Sequence, residues 1–116
     1  LAFDSLIADI RAEAEAPSIE ALADAVEVTA ATLRNASHDD RLAGSYPFLT
    51  MCSVLTAGWL MERQRNAATG SEPFHQVKRA AADFFLSVIV PEALGLAAAA
   101  DSGADMLYAV PAEALA

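Results

Sequence analysis

From Tyr46 to Met61 the chain runs for about 16 residues without a charged side chain, and every other element has to be arranged around that stretch. It is shorter than the roughly 20 apolar residues that a bilayer core requires, so it reads as a buried helix rather than a membrane span. Phe48, Cys52, Leu55 and Trp59 recur at helical spacing, while Leu49, Val54, Leu60 and Met61 fill much of the remaining surface. A helix apolar on most of its circumference is expected to be wrapped by neighbours. Thr50, Ser53 and Thr56 form the thin polar stripe, and their hydroxyls can bond a carbonyl one turn earlier without help from elsewhere. Pro47 fits the first turn of such a helix, where its missing N–H costs little. Gly58, beside Trp59, costs about 1 kcal/mol relative to alanine in a helix interior, so another backbone or a large ring is expected to come close there.

The flanking sequence supplies helices of the right kind. Alanine is roughly a quarter of the chain and leucine comes next, whereas strand formers are sparse. A first helix is expected from about Asp4 to Ala14, with Phe3, Leu6, Ile7 and Ile10 on one stripe. A second follows Pro17, capped by Ser18, with Ile19, Leu22, Val26, Ala30 and Leu33 on its apolar face. Asn35 to Gly44 has turn composition, with Asp39 or Asp40 able to cap a short helical lead into the central helix. After Gly70-Ser71-Glu72-Pro73, a fourth helix carries Phe74, Val77, Ala81, Phe84, Phe85, Val88 and Ile89 as a core-facing stripe. Pro91 should kink or restart it, because the carbonyl of Ser87 loses its amide partner. Gly103 marks a stop, and about 102–116 reads as an irregular tail. The expected fold is all-α, an antiparallel four-helix bundle with a kinked last helix, in one domain over 1–116.

Charge and residue chemistry remove most function classes. A net charge of −9 repels phosphate backbones and anionic lipid surfaces, so no nucleic-acid partner is expected. The single cysteine, Cys52, cannot close an internal disulfide and suits a reducing cytoplasm, where it reads as an inert apolar side chain. His38, Asp39 and Asp40 could be imagined as metal ligands, but consecutive turn residues rarely converge on one ion. His75 stands near no nucleophile or carboxylate constellation and reads as a surface or packing residue. Glu62 and Arg63 look like the ordinary charged end of an apolar helix. Lys78 and Arg79, the one adjacent basic pair, could bridge to an acidic neighbour, contact a nucleotide phosphate of another domain, or simply be solvated. No phosphate loop, nucleophile elbow, zinc spacing or paired carboxylate arrangement occurs, so no catalytic, cofactor-binding or metal-binding residue is assigned.

Two stretches taken together go further. Ser45-Tyr46-Pro47-Phe48-Leu49, continuing through Val54-Leu55-Thr56-Ala57-Gly58-Trp59-Leu60-Met61, resembles the central helix of the extra C-terminal domain on long acyl-CoA dehydrogenases. Phe74, Lys78, Ala81, Phe84-Phe85, Val90-Pro91, Gly103 and Val110-Pro111-Ala112-Glu113 resemble the last helix and tail of that domain in the same order. Ser53 stands where that family often has glycine, and Phe85 where it often has tyrosine. The resemblance implies a parent enzyme holding FAD, an oxidoreductase that removes hydrogens from the α and β carbons of an acyl-CoA and passes electrons to an electron-transfer flavoprotein. The 3-methylmercaptopropionyl-CoA dehydrogenase class is one such group. Its base is a glutamate in a Thr-Tyr-Glu-Gly-Thr stretch that this sequence lacks. The chain is therefore expected to be a non-catalytic C-terminal piece of a larger bacterial, cytoplasmic enzyme, supporting core packing or the assembly of a homo-oligomer. Phe48, Gly58, Trp59, Lys78, Phe84, Phe85 and Pro91 are its structural or interface candidates. A free-standing helical dimerisation or partner-binding module is the alternative.

Overall fold

The central helix is longer than the apolar stretch that announces it. In the computed structural model, which describes residues 1–116, α3 spans His38–Ala67, 30 residues, or about 45 Å of helix. Ser37 starts it: its Oγ accepts the Asp40 N–H at 3.2 Å, and Asp39 and Asp40 place negative charge in the first turn, where the helix dipole favours it. Residues with turn composition are thus helical, and Pro47 lies well inside α3 rather than in its first turn. The three hydroxyls behave as expected, with Thr50, Ser53 and Thr56 each donating to the carbonyl four residues earlier at 2.8–3.1 Å.

Three other helical segments pack on α3. Helix α1 covers Ala2–Glu13 and α2 covers Pro17–Asn35; the last run comprises α4 (Pro73–Phe84), a π turn (Phe85–Ile89), α5 (Val90–Ala93) and α6 (Leu96–Asp101). Contacts fix their directions. Arg11 pairs with Asp24 and Glu27 while Arg34 pairs with Asp4, so α1 and α2 run antiparallel. Arg41 bonds the Leu33 carbonyl and Glu62 bonds the Ala16 amide, so α2 and α3 are antiparallel too. Gly44 meets Ala100, Gly58 meets Val90, and Arg65 pairs with Asp83, which turns the last run back along α3. The result is an up-down-up-down bundle of 64 × 33 × 19 Å. Ile7, Ile10, Ile19, Leu22, Val26, Met51, Leu55, Leu86 and Val90 form its core.

The core-facing stripe of α3 is Gly44, Met51, Leu55, Gly58 and Glu62. Phe48, Cys52 and Trp59 are only half-buried, and Leu42, Tyr46, Leu49 and Leu60 are exposed, so the bundle does not wrap this helix as its composition suggests. A Cβ on Gly58 would lie 2.9 Å from Val90 Cγ2 and 3.8 Å from Phe85 Cε1, making an aliphatic branch, rather than a backbone, the close neighbour. Gly44, which the sequence pattern does not single out, is tighter: a Cβ there would sit 2.3 Å from the Ala100 carbonyl oxygen and 2.8 Å from Leu33 Cδ2.

The second helix departs from expectation at its start. Ser18 makes no cap; Ala16 is the cap residue and Pro17 the first helical one. The acceptor comes from α3 instead. Glu62, only 6% exposed, accepts the Ala16 N–H at 2.7 Å and the Glu15 N–H at 3.2 Å. A charge-assisted cap of this kind contributes on the order of 1–2 kcal/mol and fixes the α1–α2 corner against α3.

The fourth helix buries a different face from the one its aromatic residues suggest. Ala82, Leu86, Val90 and Ala93 point inward, while Phe74, Val77, Phe84 and Val88 are exposed. Pro91 does not end the run. The chain takes a π turn before it, with the Val90 N–H bonding Phe85 five residues back, and the helix resumes. This run, Pro73–Asp101, is long and apolar enough by length and composition to cross a bilayer, with a window of mean hydropathy 1.6 of which 22% is buried. The segment of that length and composition is thus this run and not the shorter Tyr46–Met61 stretch. Gly103, at φ +76, turns the chain out of α6. The Ala104 N–H then donates to Asp40 Oδ1 at 2.7 Å, and the tail continues as two exposed 3-10 turns, Asp105–Tyr108 and Ala112–Leu115.

Two outcomes follow from this packing. Gly44→Ala forces the Ala100 backbone away from α3 and should cost about 1–3 kcal/mol, whereas Gly95→Ala, where the nearest atom to a new Cβ is 3.4 Å away and φ is −64°, should stabilise by about 0.4–1 kcal/mol; urea unfolding of the two variants gives the opposite signs or refutes the packing. The bond from the Ala104 amide, and then that from Ser37, hold the Asp40 carboxyl below the usual carboxylate range. A folded pKa depressed below the unfolded value of about 3.9 gives stability that is present above that value and lost as pH falls through the folded one. Hydrogen exchange at the Ala104 amide should therefore be slow at pH 5 to 7 and lose its protection in acid; in Asp40→Asn the protection should be reduced already at neutral pH.

Candidate functional site

The residues singled out from the sequence do not gather into one site. Trp59 joins a polar cluster between α1 and α3: its Nε1 donates to Glu13 at 3.1 Å, and Arg63 grips the same carboxylate with Nε at 2.5 Å and Nη2 at 2.6 Å. The Arg63 guanidinium also lies 4.4 Å from the Trp59 ring centroid. Arg63 and then Trp59 hold the Glu13 carboxyl below its ordinary value, and Glu13 in turn raises Arg63. This arrangement makes one planar, bidentate ion pair against an aromatic face. It clamps the end of α1 and presents no free base or nucleophile.

Lys78 and Arg79 separate. Arg79 donates to the Ala68 and Gly70 carbonyls, the latter at 2.7 Å, and so closes the C-terminal end of α3. Lys78 pairs with no carboxylate; its Nζ lies 5.3 Å over the Phe74 ring. Phe84 and Phe85, adjacent in sequence, diverge: Phe85 is half-buried beside Gly58 and Phe84 is 58% exposed. Phe48 packs on Phe3 with ring centroids 6.1 Å apart. Pro91 lies beside the π turn at the edge of a polar cleft that also holds Glu62 and the Arg65–Asp83 ion pair.

Sequence reasoning missed Glu62, because a carboxylate at the end of an apolar run normally faces water. Its helical register with Gly58 and Leu55 was the available signal. Cys52 is half-buried, and burial pushes its thiol up, away from thiolate reactivity. His75 packs under Gly70 and edge-on to Phe74, with a buried Nδ1 that has no hydrogen-bond partner. No three His, Cys, Asp or Glu side chains are grouped so as to hold a metal ion.

What the geometry offers is a surface. Phe74, Val77, Phe84 and Val88 line the outer side of α4 and the π turn, and Lys78 is the cation beside them. An apolar helical face left open in this way is an interaction feature.

Neither the curated proteins nor the solved structures provide a match to this chain. A family model described as acetyl-CoA dehydrogenase C-terminal like matches residues 5–111, which takes in all the principal helices and Pro111 of the tail. With an all-helical bundle and a match over nearly its whole length, the chain belongs to the acetyl-CoA dehydrogenase C-terminal-like family.

Proposed function

We propose that this chain is the accessory domain of an FAD-dependent acyl-CoA dehydrogenase and docks on the rest of that enzyme through the outer face of α4 and the π turn. The observation that carries the reading is the exposure of Phe74, Val77, Phe84 and Val88 on one helical run, at 44–66% each. Removing such side chains from water is worth about 25 cal/mol per Å2 of apolar surface, enough for a few of them to anchor an interface. Family membership supplies the partner: other domains of an acyl-CoA dehydrogenase.

The residues here do not fit a flavin. A flavin needs donors along its ring edge and cations or helix N-termini at its diphosphate. The cavity between α1, α2 and α3 offers cations at Arg34 and Arg41, but Ser45 is its one neutral polar side chain besides the Cys52 thiol, so it lacks the row of donors that a flavin ring edge needs. In this reading FAD, the base that takes the α-proton and the α,β-dehydrogenation of the acyl-CoA thioester belong to the parent's other domains. So does delivery of electrons to an electron-transfer flavoprotein. Assembly as a homo-oligomer and a cytoplasmic location complete the proposal.

The coding sequence tests the first part: a Thr-Tyr-Glu-Gly-Thr stretch should be encoded upstream of Leu1, and a start codon close to it would remove the parent. For the second, Phe84→Asp with Val88→Asp in the full-length enzyme should expose the domain to limited proteolysis and lower the Tm. Both positions are exposed in the bundle itself, so its far-ultraviolet circular dichroism should stay helical. Unchanged proteolysis and Tm would refute this face as the interface.

A further inference from the structure

A second concave feature lies on other helices. Phe3 of α1, Ala30 and Leu33 of α2, and Phe48, Leu49 and Cys52 of α3 enclose a cavity of about 670 Å3. That lies within the range of about 300–1,000 Å3 in which small-ligand sites fall, and the lining has their usual character, mostly apolar with a few convergent polar groups. The polar groups are Arg34, Arg41 and Ser45. In a chain of net charge −9, two of the seven basic residues stand at this one cavity.

Their donors are not exhausted. Arg41 uses Nε and Nη2 on the carbonyls of Leu33, Arg34 and Ala36, at 3.0–3.3 Å, and makes no ion pair. Nη1 keeps both hydrogens free, because a guanidinium has five N–H donors and these three bonds use three. The carbonyls hold the fork in place at the end of α2, which makes it a rigid cation. Arg34 bonds Asp4 at 3.2 Å in a solvent-exposed pair, an interaction that an incoming carboxylate can displace at little cost. Its guanidinium also lies 5.4 Å from the Phe3 ring centroid, at the wall of the cavity.

We propose that this cavity is a binding site for an amphipathic carboxylate, an alkyl chain lying against Phe3, Leu33, Phe48 and Leu49 with its head group on Arg34 and Arg41. Apolar lining selects the chain, and uncompensated guanidinium charge selects an anion over an alcohol of the same length. The site is separate from the docking face on α4 and does not depend on the parent assignment.

Cys52, in the lining, is a built-in reporter. In the full-length protein, the rate of Cys52 alkylation by iodoacetamide, read by mass spectrometry of its peptide, should fall at least fivefold with saturating dodecanoate and much less with dodecanol. Leu49→Asp, at an exposed position of the lining, puts a carboxylate into the cavity and should abolish the protection. Arg34→Gln, also exposed, should weaken it several-fold without altering the helical signal. Equal protection by dodecanol, or none by dodecanoate, overturns the proposal. Because burial raises the Cys52 thiol, the Tm of the full-length protein is read beside the alkylation rate: dodecanoate should raise it, and less in Arg34→Gln, and no shift in Tm overturns the proposal as well.

Discussion

Everything in this bundle depends on how closely α3 lets its neighbours approach. Gly44 and Gly58 stand four turns apart on its inward face, and at both the partner is already where a methyl group would have to be. The Ala100 carbonyl and the Val90 side chain enter those gaps, so the last helical run is held by a backbone contact at its C-terminal end and by a close side-chain contact within the run. Met51 and Leu55 fill the space between. With α3 and the last run fixed, the α1–α2 corner is positioned by Glu62, and the far ends of α1 and α2 by Arg41, Arg34 and Asp4. The glycines set distance, and the charged residues set register.

That constraint also explains which parts of the fold were legible in the sequence. Helix number and connections were, because Pro17, Gly70, Pro73 and Gly103 break the apolar periodicity where the chain does turn. The exception was Asn35 to Gly44, whose turn composition conceals a Ser37 cap with two aspartates in the first turn. The family was legible from residue order. Buried faces were less so. Phe74, Val77, Ala81, Phe84 and Val88 follow three- and four-residue steps, the period of an ideal α-helix, and so attract a core assignment. The residues that do face inward, Ala82, Leu86 and Val90, are spaced four and four. Eight residues of regular α-helix overshoot two turns by roughly 80°, and the π turn at Phe85–Ile89 absorbs that excess. Periodicity counting on a regular helix cannot see the extra residue. Side-chain size misled in the same direction, since the atoms nearest the two glycines belong to Val90 and to the Ala100 backbone, with Phe85 reaching Gly58 only by its ring edge.

The partners of Glu62 were illegible for a related reason. Nothing local to Glu15-Ala16-Pro17 shows that its amides lack a cap, and nothing local to Glu62 shows that they lie opposite. Only the antiparallel register of α2 and α3 brings the two together. A buried carboxylate of this kind is retained when both its oxygens find donors, as they do here in two backbone amides.

The bundle has spent its charged groups on its own geometry: Arg11, Arg63 and Arg65 on carboxylates of other helices, Arg79 on the end of α3, Glu13 and Glu62 on α1 and α2. A side chain locked in such a pair is poor at proton transfer, because its donors or lone pairs are already occupied. What remains uncommitted is of two sorts. One is the outer apolar face of α4 and the π turn; the other is the cavity between α1, α2 and α3, where Arg41 keeps free donors. Both are suited to holding something rather than transforming it. Each carries basic side chains in a chain of net charge −9, Lys78 at the first and Arg34 and Arg41 at the second, so each offers an anionic partner local attraction against the overall repulsion.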